Sequence, residues 1–363
     1  MKPDGSRFRI WGVNVTGAGC FPNREIAQKM ADDLARMGIN CVRFHGLDST
    51  WGGSSIDYSR NDTLHFHEGD LDKFDYFVAE LKKRGIYTNL NLNVFRRYKE
   101  GDGVRDPDKL GLGKSATYFN PRLLELQEDY ARKLLTHRNP YTGTEYRHEP
   151  AVFCVEMVNE NSVIEGWLNW RLEGKEVKWA DTWAPIPFSY ADELTEQFNT
   201  WLQQNKSPES IADFRKEAGA EEGQLLPRIK QDQFHEASIE RFRAEADFYL
   251  ELEVKFFQRM RQLLQEELGV KSLLVGSADH SDGICGYPHI MANCELDIID
   301  GHGYWEHPKL GEQTWIKNTP MVNDPWDSTV TQFARTPMVG RPYTISETNH
   351  PFPHEYACEG IPI

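Results

Sequence analysis

Two glutamates far apart in the sequence each come at the end of a short apolar run. Glu160 follows Asn159 at the end of the run 151–159, and Glu347 comes directly after the run 343–346. Hydrolysis of a glycosidic bond with retention requires two carboxyl groups about 5–5.5 Å apart, one to protonate the leaving oxygen and one to attack the anomeric carbon. If the fold brings these two glutamates together, the chemistry they predict is that of a retaining glycosidase.

Three other groups of polar residues have weaker claims to chemistry. Glu156 lies four residues before Glu160, on the same face of the strand but deeper, which favours a structural network. His65 and His67 have the spacing of a metal-binding pair, but they lie in polar sequence away from the first strand. The segment 279–282 reads Asp-His-Ser-Asp, which is typical of loop capping. We therefore predict neither a metal site nor a bound cofactor.

The two glutamates can meet only if their apolar runs are strands of one sheet. Seven apolar runs alternate with amphipathic segments, a pattern typical of buried parallel strands. The runs cover residues 9–15, 41–47, 87–94, 151–159, 272–277, 298–302 and 343–346. Among the amphipathic segments, 24–37 ends at Gly38 and 70–84 ends at Gly85. Glycine is the expected helix stop, so both segments are predicted helices.

This alternation predicts an α/β fold, and in particular a TIM-type (β/α)8 barrel. A dinucleotide-binding sheet is disfavoured because no GxGxxG turn follows the first strand. In a barrel the carboxyl ends of the strands converge on one bowl, so Glu160 and Glu347 would face each other. We expect the eighth strand and its helix to be missing from the chain, although the tail 354–363 resembles a helix start. Self-association could cover the open edge.

We predict one catalytic domain over residues 1–363 with two long loops above the barrel. The first loop, at about 162–235, contains a predicted helix at 190–204 and precedes a long helix predicted at 236–268. The second loop lies at about 305–341. The tryptophans of these loops are Trp167, Trp170, Trp179, Trp183, Trp315 and Trp326. They could line sugar subsites or form small cores of the loops themselves, and both interpretations stay open.

The composition excludes several classes of partner. A net charge of −15 repels phosphates, so we expect no nucleic acid partner. No stretch approaches the roughly 20 apolar residues of a membrane span, so we expect no membrane association. The 12% aromatic content suits an oligo- or polysaccharide, because flat rings stack on the apolar faces of sugars. The protein would be secreted or periplasmic if a signal peptide was removed, and cytoplasmic otherwise.

With these strand ends, the chain resembles the glycoside hydrolase clan A barrels, most closely the family 5 type of cellulases and mannanases. The resemblance implies that Glu160, in the Asn-Glu pair of strand four, is the acid/base. It implies that Glu347, on strand seven, is the nucleophile. Substrate-binding positions are implied at other strand ends, namely Arg43, His45, Asn159, His302, Tyr304 and Trp305.

The resemblance also implies how these residues act. Arg43 would keep Glu347 ionised, and Tyr304 would donate a hydrogen bond to it. Asn159 would bind the 2-hydroxyl of the sugar. His302 would contact the substrate or the acid/base, whose pKa is expected to be raised by burial and by the neighbouring charge.

Two departures from the family pattern affect the interpretation. The histidine that the family carries near the end of strand three is absent, and His45 either takes its place or is structural. The strand-eight tryptophan is absent too. The resemblance implies an endo-acting hydrolase of β-1,4-glucan or β-mannan without a cofactor. The alternative is a non-catalytic carbohydrate-binding protein or an inactive barrel fragment.

Overall fold

The computed structural model describes residues 6–176, 184–280, 286–307 and 315–360. Every apolar run that the sequence predicts as a strand overlaps one. The strands are β1 (Gly12–Thr16), β2 (Cys41–His45), β3 (Tyr87–Asn91), β4 (Val152–Glu156), β5 (Leu273–Val275), β6 (Ile299–Tyr304) and β7 (Tyr343–Asn349). Glu160 thus lies four residues past the end of β4, whereas Glu347 lies within β7.

Neighbouring strands pair in parallel and follow the order of the sequence. Strands β1 to β5 form one sheet, and β6 pairs with β7. Single bridges connect the two parts, from Val275 to Ile298 and from Asp279 to Gly301. Strand β7 returns to β1, where the Asn14 amide donates to the Ser346 carbonyl at 3.0 Å, although no ladder pairs these strands within the described residues. The carboxyl ends of first and last strands therefore lie side by side.

Helices connect the strands and cover the sheet. They are α1 (Arg24–Arg36), α2 (Glu68–Lys83), α3 (Pro107–Leu110), α4 (Lys114–Thr117), α5 (Pro121–Thr136), α6 (Val163–Leu168), α7 (Phe188–Asn205), α8 (Pro208–Ala218), α9 (Ile239–Arg261), α10 (Gly286–Asn293) and α11 (Thr329–Ala334). Gly38 and Gly85 follow α1 and α2 with φ of 76° and 73°, as a left-handed helix stop requires. In the described residues, every helix is too short or too polar to span a lipid bilayer.

The predicted boundaries of the later helices are partly confirmed. The helix predicted at 190–204 is α7, and the long helix predicted at 236–268 is α9 followed by a π-helical segment, Gln262–Glu267. The tail from residue 354 has only a short 3-10 turn, Ala357–Gly360, among the described residues. Cys20, Cys41, Cys154, Cys294 and Cys358 are all free thiols.

The loop after β4 has its own small core. The Trp167 ring packs against Phe234, Phe242 and Tyr249 at centroid distances of 5.1, 4.7 and 5.0 Å. This ring is buried, which favours the interpretation of Trp167 as a core residue of the loop. Trp170 is exposed, as are Trp315 and Trp326 in the second loop. Trp179 and Trp183 lie outside the described residues.

The loop after β3 is fixed by one buried carboxylate. Asp48 accepts backbone N–H groups from Val94, Phe95 and Arg96 at 2.8, 3.0 and 3.1 Å. The Phe95 ring in turn lies edge-on to His45, with ring centroids 5.2 Å apart. Because three buried donors depend on a single side chain, Asp48 sets the position of this loop beside the strand ends.

We expect Asp48→Ala to lower the free energy of unfolding by about 3 kcal/mol, because it leaves three buried N–H groups without their acceptor. Urea unfolding measures the loss. Asp213→Ala, at an exposed position of α8, serves as the control and should change the free energy by less than about 0.5 kcal/mol. Equal stability of the two variants would show that water replaces the carboxylate and that Asp48 does not fix the loop.

Candidate active site

A buried arginine joins the strand ends. The guanidinium of Arg43, at the centre of β2, donates two hydrogen bonds to Glu156, from Nε at 2.8 Å and from Nη2 at 2.7 Å. Nη2 also donates to the Asn159 side-chain oxygen at 2.8 Å, and Nη1 donates to Glu347 Oε1 at 2.5 Å. Since a buried guanidinium must be paired, β2, β4 and β7 converge on this group.

Glu347 has a hydrogen-bond donor on each carboxylate oxygen. Arg43 donates to Oε1, and the Tyr304 hydroxyl donates to Oε2 at 2.5 Å. His45 Nδ1 lies 3.2 Å from Arg43 Nη1 and 3.4 Å from Glu347 Oε1. Burial and the charge of Arg43 lower the pKa of His45 to about 4. The ring is therefore neutral near pH 7, and its Nδ1 can accept from Arg43.

A histidine on β6 lies between the two glutamates. His302 Nδ1 is 2.9 Å from Glu160 Oε1 and 3.7 Å from Glu347 Oε1. On the other side of the ring, Nε2 is 2.8 Å from the Ser346 hydroxyl and 3.3 Å from Asp300 Oδ2. The Ser346 hydroxyl itself donates to Asp300 at 2.5 Å. Asp300 therefore favours a proton on Nε2, and Nδ1 is the nitrogen that can exchange a proton with Glu160.

The charges of this site shift three pKa values together. Burial acts to lower the pKa of His302, but Glu347, Asp300 and Glu160 raise it to about 10. Burial acts to raise the pKa of both glutamates, but the imidazolium of His302 overrides it. The pKa of Glu160 falls to about 2, and that of Glu347, which is also next to Arg43, is held well below its usual range.

The expectation of a raised pKa for Glu160 is therefore wrong. The expectation counted burial and the negative charge of Glu347, both of which do act in that direction. It did not count the hydrogen bond from His302, which favours the carboxylate. Of these two groups, His302 is therefore the one that carries the proton near pH 7.

The two carboxyl groups are close enough to act on one bond. One oxygen of Glu160, one oxygen of Glu347 and one nitrogen of His302 all lie within 4.8 Å of one another. The same three atoms are a donor set that could hold a cation, although the nearby Arg43 guanidinium opposes one. A cavity of about 180 Å³ opens beside Glu160. Its lining residues are Glu160, His280, His302, Gly303, Tyr304, His307 and Gln332.

The backbone at Glu160 is strained. Its φ is 43°, in the left-handed region that non-glycine residues with long side chains seldom occupy. Such a conformation costs on the order of 1–3 kcal/mol and persists only where surrounding contacts impose it. Its occurrence at the carboxylate that faces the cavity indicates that the direction of this side chain is imposed by the fold.

The structure brings most of the predicted residues together. Arg43, His45, Asn159, His302 and Tyr304 surround the two glutamates at the distances given above. Trp305 is the exception, because its indole is buried and donates from Nε1 to the Thr319 carbonyl at 2.7 Å. The indole stabilises the second loop and does not line the cavity. The expected role of Trp305 in sugar binding is therefore corrected.

The sequence analysis did not single out four residues of the site. Asp300 and Ser346 hold His302, and Asn91 donates to Glu156 at 2.6 Å. All three lie on predicted strands. Asp300 is two residues before His302, Ser346 is next to Glu347, and Asn91 lies on β3 beside β4. The alternation of side chains along these strands could therefore have identified them. Lys114 gave no such signal, because it lies on the short helix α4 between β3 and α5.

Comparison with solved structures defines the fold class. The chain is similar to the hyperthermostable endo-1,4-β-D-mannanase of Thermotoga petrophila, with a TM-score of 0.52, 14% identity, and coverage of 96% of this chain and 81% of that one. It is similar to a β-galactosidase of Halorubrum lacusprofundi with a TM-score of 0.53, 15% identity and coverage of 82% and 40%. The prediction of a TIM-type barrel is confirmed, although the described strands do not close it.

Comparison with curated proteins narrows the resemblance. The chain is 28% identical to mannan endo-1,4-β-mannosidase 5 of Arabidopsis thaliana over 149 residues, which are 38% of this chain and 32% of that protein. It is 28% identical to mannan endo-1,4-β-mannosidase 2 of Oryza sativa subsp. japonica over 169 residues, 43% and 37% of the two chains. No protein-family profile matches the chain. The predicted resemblance to family 5-like clan A glycoside hydrolases is confirmed, and the matched segment spans about a third of these relatives.

We expect His302→Asn to destabilise the fold most near pH 5.5 and least near pH 9.5. The raised pKa of His302 gives a stabilisation that is complete below its ordinary value of 6.5 and is lost as the pH rises through about 10. The lowered pKa values of the glutamates give a stabilisation that is present above about 4.5 and is lost only in acid. Near pH 5.5 the variant removes the cation that is bonded to Glu160, at a cost of about 3 kcal/mol.

Urea unfolding of both proteins at the two pH values tests this expectation. His235→Asn is the matched control, because the side chain of His235 is exposed and pairs with Glu236, which is not part of this network. A loss of the same size at both pH values would contradict the charged state assigned to His302.

Proposed function

We propose that the chain is a retaining β-glycoside hydrolase of β-1,4-mannan. The observation that carries the proposal is the approach of Glu160 and Glu347 oxygens to within 4.8 Å, with Glu347 held ionised by Arg43. Inverting enzymes keep their carboxyl groups about 6.5–9.5 Å apart to leave room for water, whereas retaining enzymes keep them close. The separation therefore supports direct attack by a carboxylate.

In the first step, Glu347 attacks the anomeric carbon of the bound sugar. The carbon–oxygen bond to the leaving group breaks, and Glu160 gives its proton to the leaving oxygen. The negative charge of Glu347 falls as its bond to carbon forms, so the hydrogen bonds from Arg43 and Tyr304 weaken at the same time. Both donors remain in place for the return of the charge when the covalent intermediate is hydrolysed.

The proton of Glu160 comes from His302 in this proposal. Binding of a sugar displaces water from the cavity, and the lower polarity favours a neutral acid and a neutral imidazole over an ion pair. The proton then passes from Nδ1 of His302 to Glu160 Oε1, two atoms that lie 2.9 Å apart. In the second step Glu160 takes a proton from the attacking water, and the sugar is released with its configuration retained.

Asn159 has a substrate-binding role in the proposal. Its side-chain oxygen is turned to Arg43, so the amide nitrogen is the group it can offer to the sugar. An amide N–H donates to a hydroxyl oxygen, which suits the 2-hydroxyl next to the anomeric carbon.

Mannan is the preferred substrate because the curated relatives are mannan endo-1,4-β-mannosidases. The acidic surface is compatible with a neutral polysaccharide. A β-1,4-glucan differs at the 2-hydroxyl alone and is the competitor to test.

We expect the chain to release nitrophenol from a nitrophenyl β-mannobioside faster than from the matching cellobioside. Glu160→Gln should reduce kcat/KM on unactivated mannopentaose by about 10²–10⁴-fold, because general acid catalysis contributes that much. Glu347→Gln should abolish cleavage of both substrates, since it removes the attacking group. The matched control is Glu196→Gln, at an exposed position of α7.

Proton NMR of the first product formed from mannopentaose identifies the stereochemical course. The proposal predicts that the β-anomer appears first and then mutarotates. Initial release of the α-anomer would contradict retention. If the wild-type chain and both variants bind mannopentaose equally but none cleaves it, the chain is a carbohydrate-binding protein and the proposal fails.

A further inference from the structure

The strained backbone at Glu160 is held by buried side chains on both of its flanking peptides. The ammonium of Lys114 donates to the Asn159 carbonyl oxygen at 2.7 Å and so fixes the peptide group before Glu160. The Ser277 hydroxyl accepts a hydrogen bond from the Asn161 N–H at 3.0 Å and so fixes the peptide group after Glu160. Rotation of Glu160 out of its φ of 43° would have to break one of these bonds.

One short helix supplies contacts to the residues on both sides of Glu160. Besides Lys114, α4 and its end place the Ser115 hydroxyl 3.3 Å from the Asn161 side-chain oxygen and the Tyr118 hydroxyl 2.8 Å from the Asn161 carbonyl. All three side chains are buried, and Lys114 is only 2% exposed. A lysine is seldom buried to that degree, and this ammonium lies beside the site that contains the carboxylates of Glu160 and Glu347.

Ser277, which bonds to the peptide group after Glu160, is itself held by a residue of α10. Asn293 accepts the Ser277 N–H at 2.9 Å through its side-chain oxygen, and both residues are buried. Because Ser277 follows β5 and is bonded to α10, the backbone at Glu160 is connected through it to both of these elements. The contacts of Lys114 and Ser277 therefore come from two different parts of the fold, α4 and the segment after β5.

We propose that Lys114 and Ser277 are positioning residues that hold Glu160 in the left-handed conformation and so aim its carboxyl at the leaving oxygen. The inference rests on the proposed function, because it assigns these residues to the acid step of that reaction. Neither residue touches the reacting atoms. A carboxyl displaced by about 1 Å transfers its proton poorly, and such displacements reduce rates on the order of 10²-fold.

The acid step can be isolated by the choice of leaving group. Departure of 2,4-dinitrophenolate needs no proton, whereas departure of a sugar hydroxyl does. The ratio kcat/KM reports steps up to the first irreversible one, which is formation of the glycosyl-enzyme. Loss of aim at Glu160 should therefore reduce kcat/KM on mannopentaose and leave kcat/KM on 2,4-dinitrophenyl β-mannobioside nearly unchanged.

The experiment compares Lys114→Met and Ser277→Ala with the wild-type chain on these two substrates. We expect each variant to lose about 10–100-fold in kcat/KM on mannopentaose and less than about 3-fold on the dinitrophenyl substrate. Lys109→Met is the matched control, because Lys109 lies on the neighbouring helix α3 and pairs with Glu176 at the surface. It should match the wild type on both.

Equal losses on the two substrates, or no loss on either, would overturn the inference. If Lys114→Met does not fold, as urea unfolding would show, Ser277→Ala alone decides it, because that variant removes only one hydroxyl. A wild-type chain that cleaves neither substrate would contradict the proposed function instead.

Crystal structures of Lys114→Met and Ser277→Ala test the inference without a measurement of turnover. Glu160 should leave the left-handed region and lose its 2.9 Å contact with His302. An unchanged φ and an unchanged contact in either variant would overturn the positioning role.

Discussion

The buried guanidinium of Arg43 is the interaction on which the site depends. It bonds to residues that belong to or follow two strands, β4 and β7, and it lies 3.4 Å from Asn14 on a third, β1. A buried charge is tolerated only when its partners converge on it, so the strand ends must meet at this point. Such a network is weak evidence for stability, since apolar residues could pack there at lower cost. Its presence is better explained by the charge that it holds on Glu347.

In the proposed mechanism, the kind of cation beside each carboxylate separates the roles of Glu160 and Glu347, which are chemically identical. Glu347 is bonded to a fixed cation, Arg43, which cannot release its proton. Glu160 is bonded to His302, a cation that can release one. A carboxylate next to a permanent cation is suited to remain ionised and attack. A carboxylate next to a titratable cation is suited to exchange a proton. The strained backbone at Glu160 fixes the direction of the side chain that exchanges it.

Much of the fold and the centre of the site could be predicted from the sequence. The strands could be predicted because parallel strands are continuous apolar runs, and the order of those runs places Glu160 and Glu347 near the carboxyl ends of two strands. The state of Glu160 could not be predicted, because it depends on the 2.9 Å contact with His302 across 142 positions of sequence. Trp305 was misjudged for a related reason: whether an indole faces the cavity or Thr319 is decided by the path of a loop. Lys114 was missed because α4 has no periodic pattern of its own.

A mechanism-based inactivator tests the central claim, that Glu347 attacks carbon while Arg43 keeps it ionised. The wild-type chain is treated with a 2-deoxy-2-fluoro-β-mannosyl fluoride, which forms the glycosyl-enzyme and hydrolyses slowly, and the labelled peptide is located by mass spectrometry. The account predicts one sugar per chain, esterified to Glu347 and absent from Glu347→Gln. A label on Glu160, or full turnover of mannan by a chain that takes no label, would contradict it.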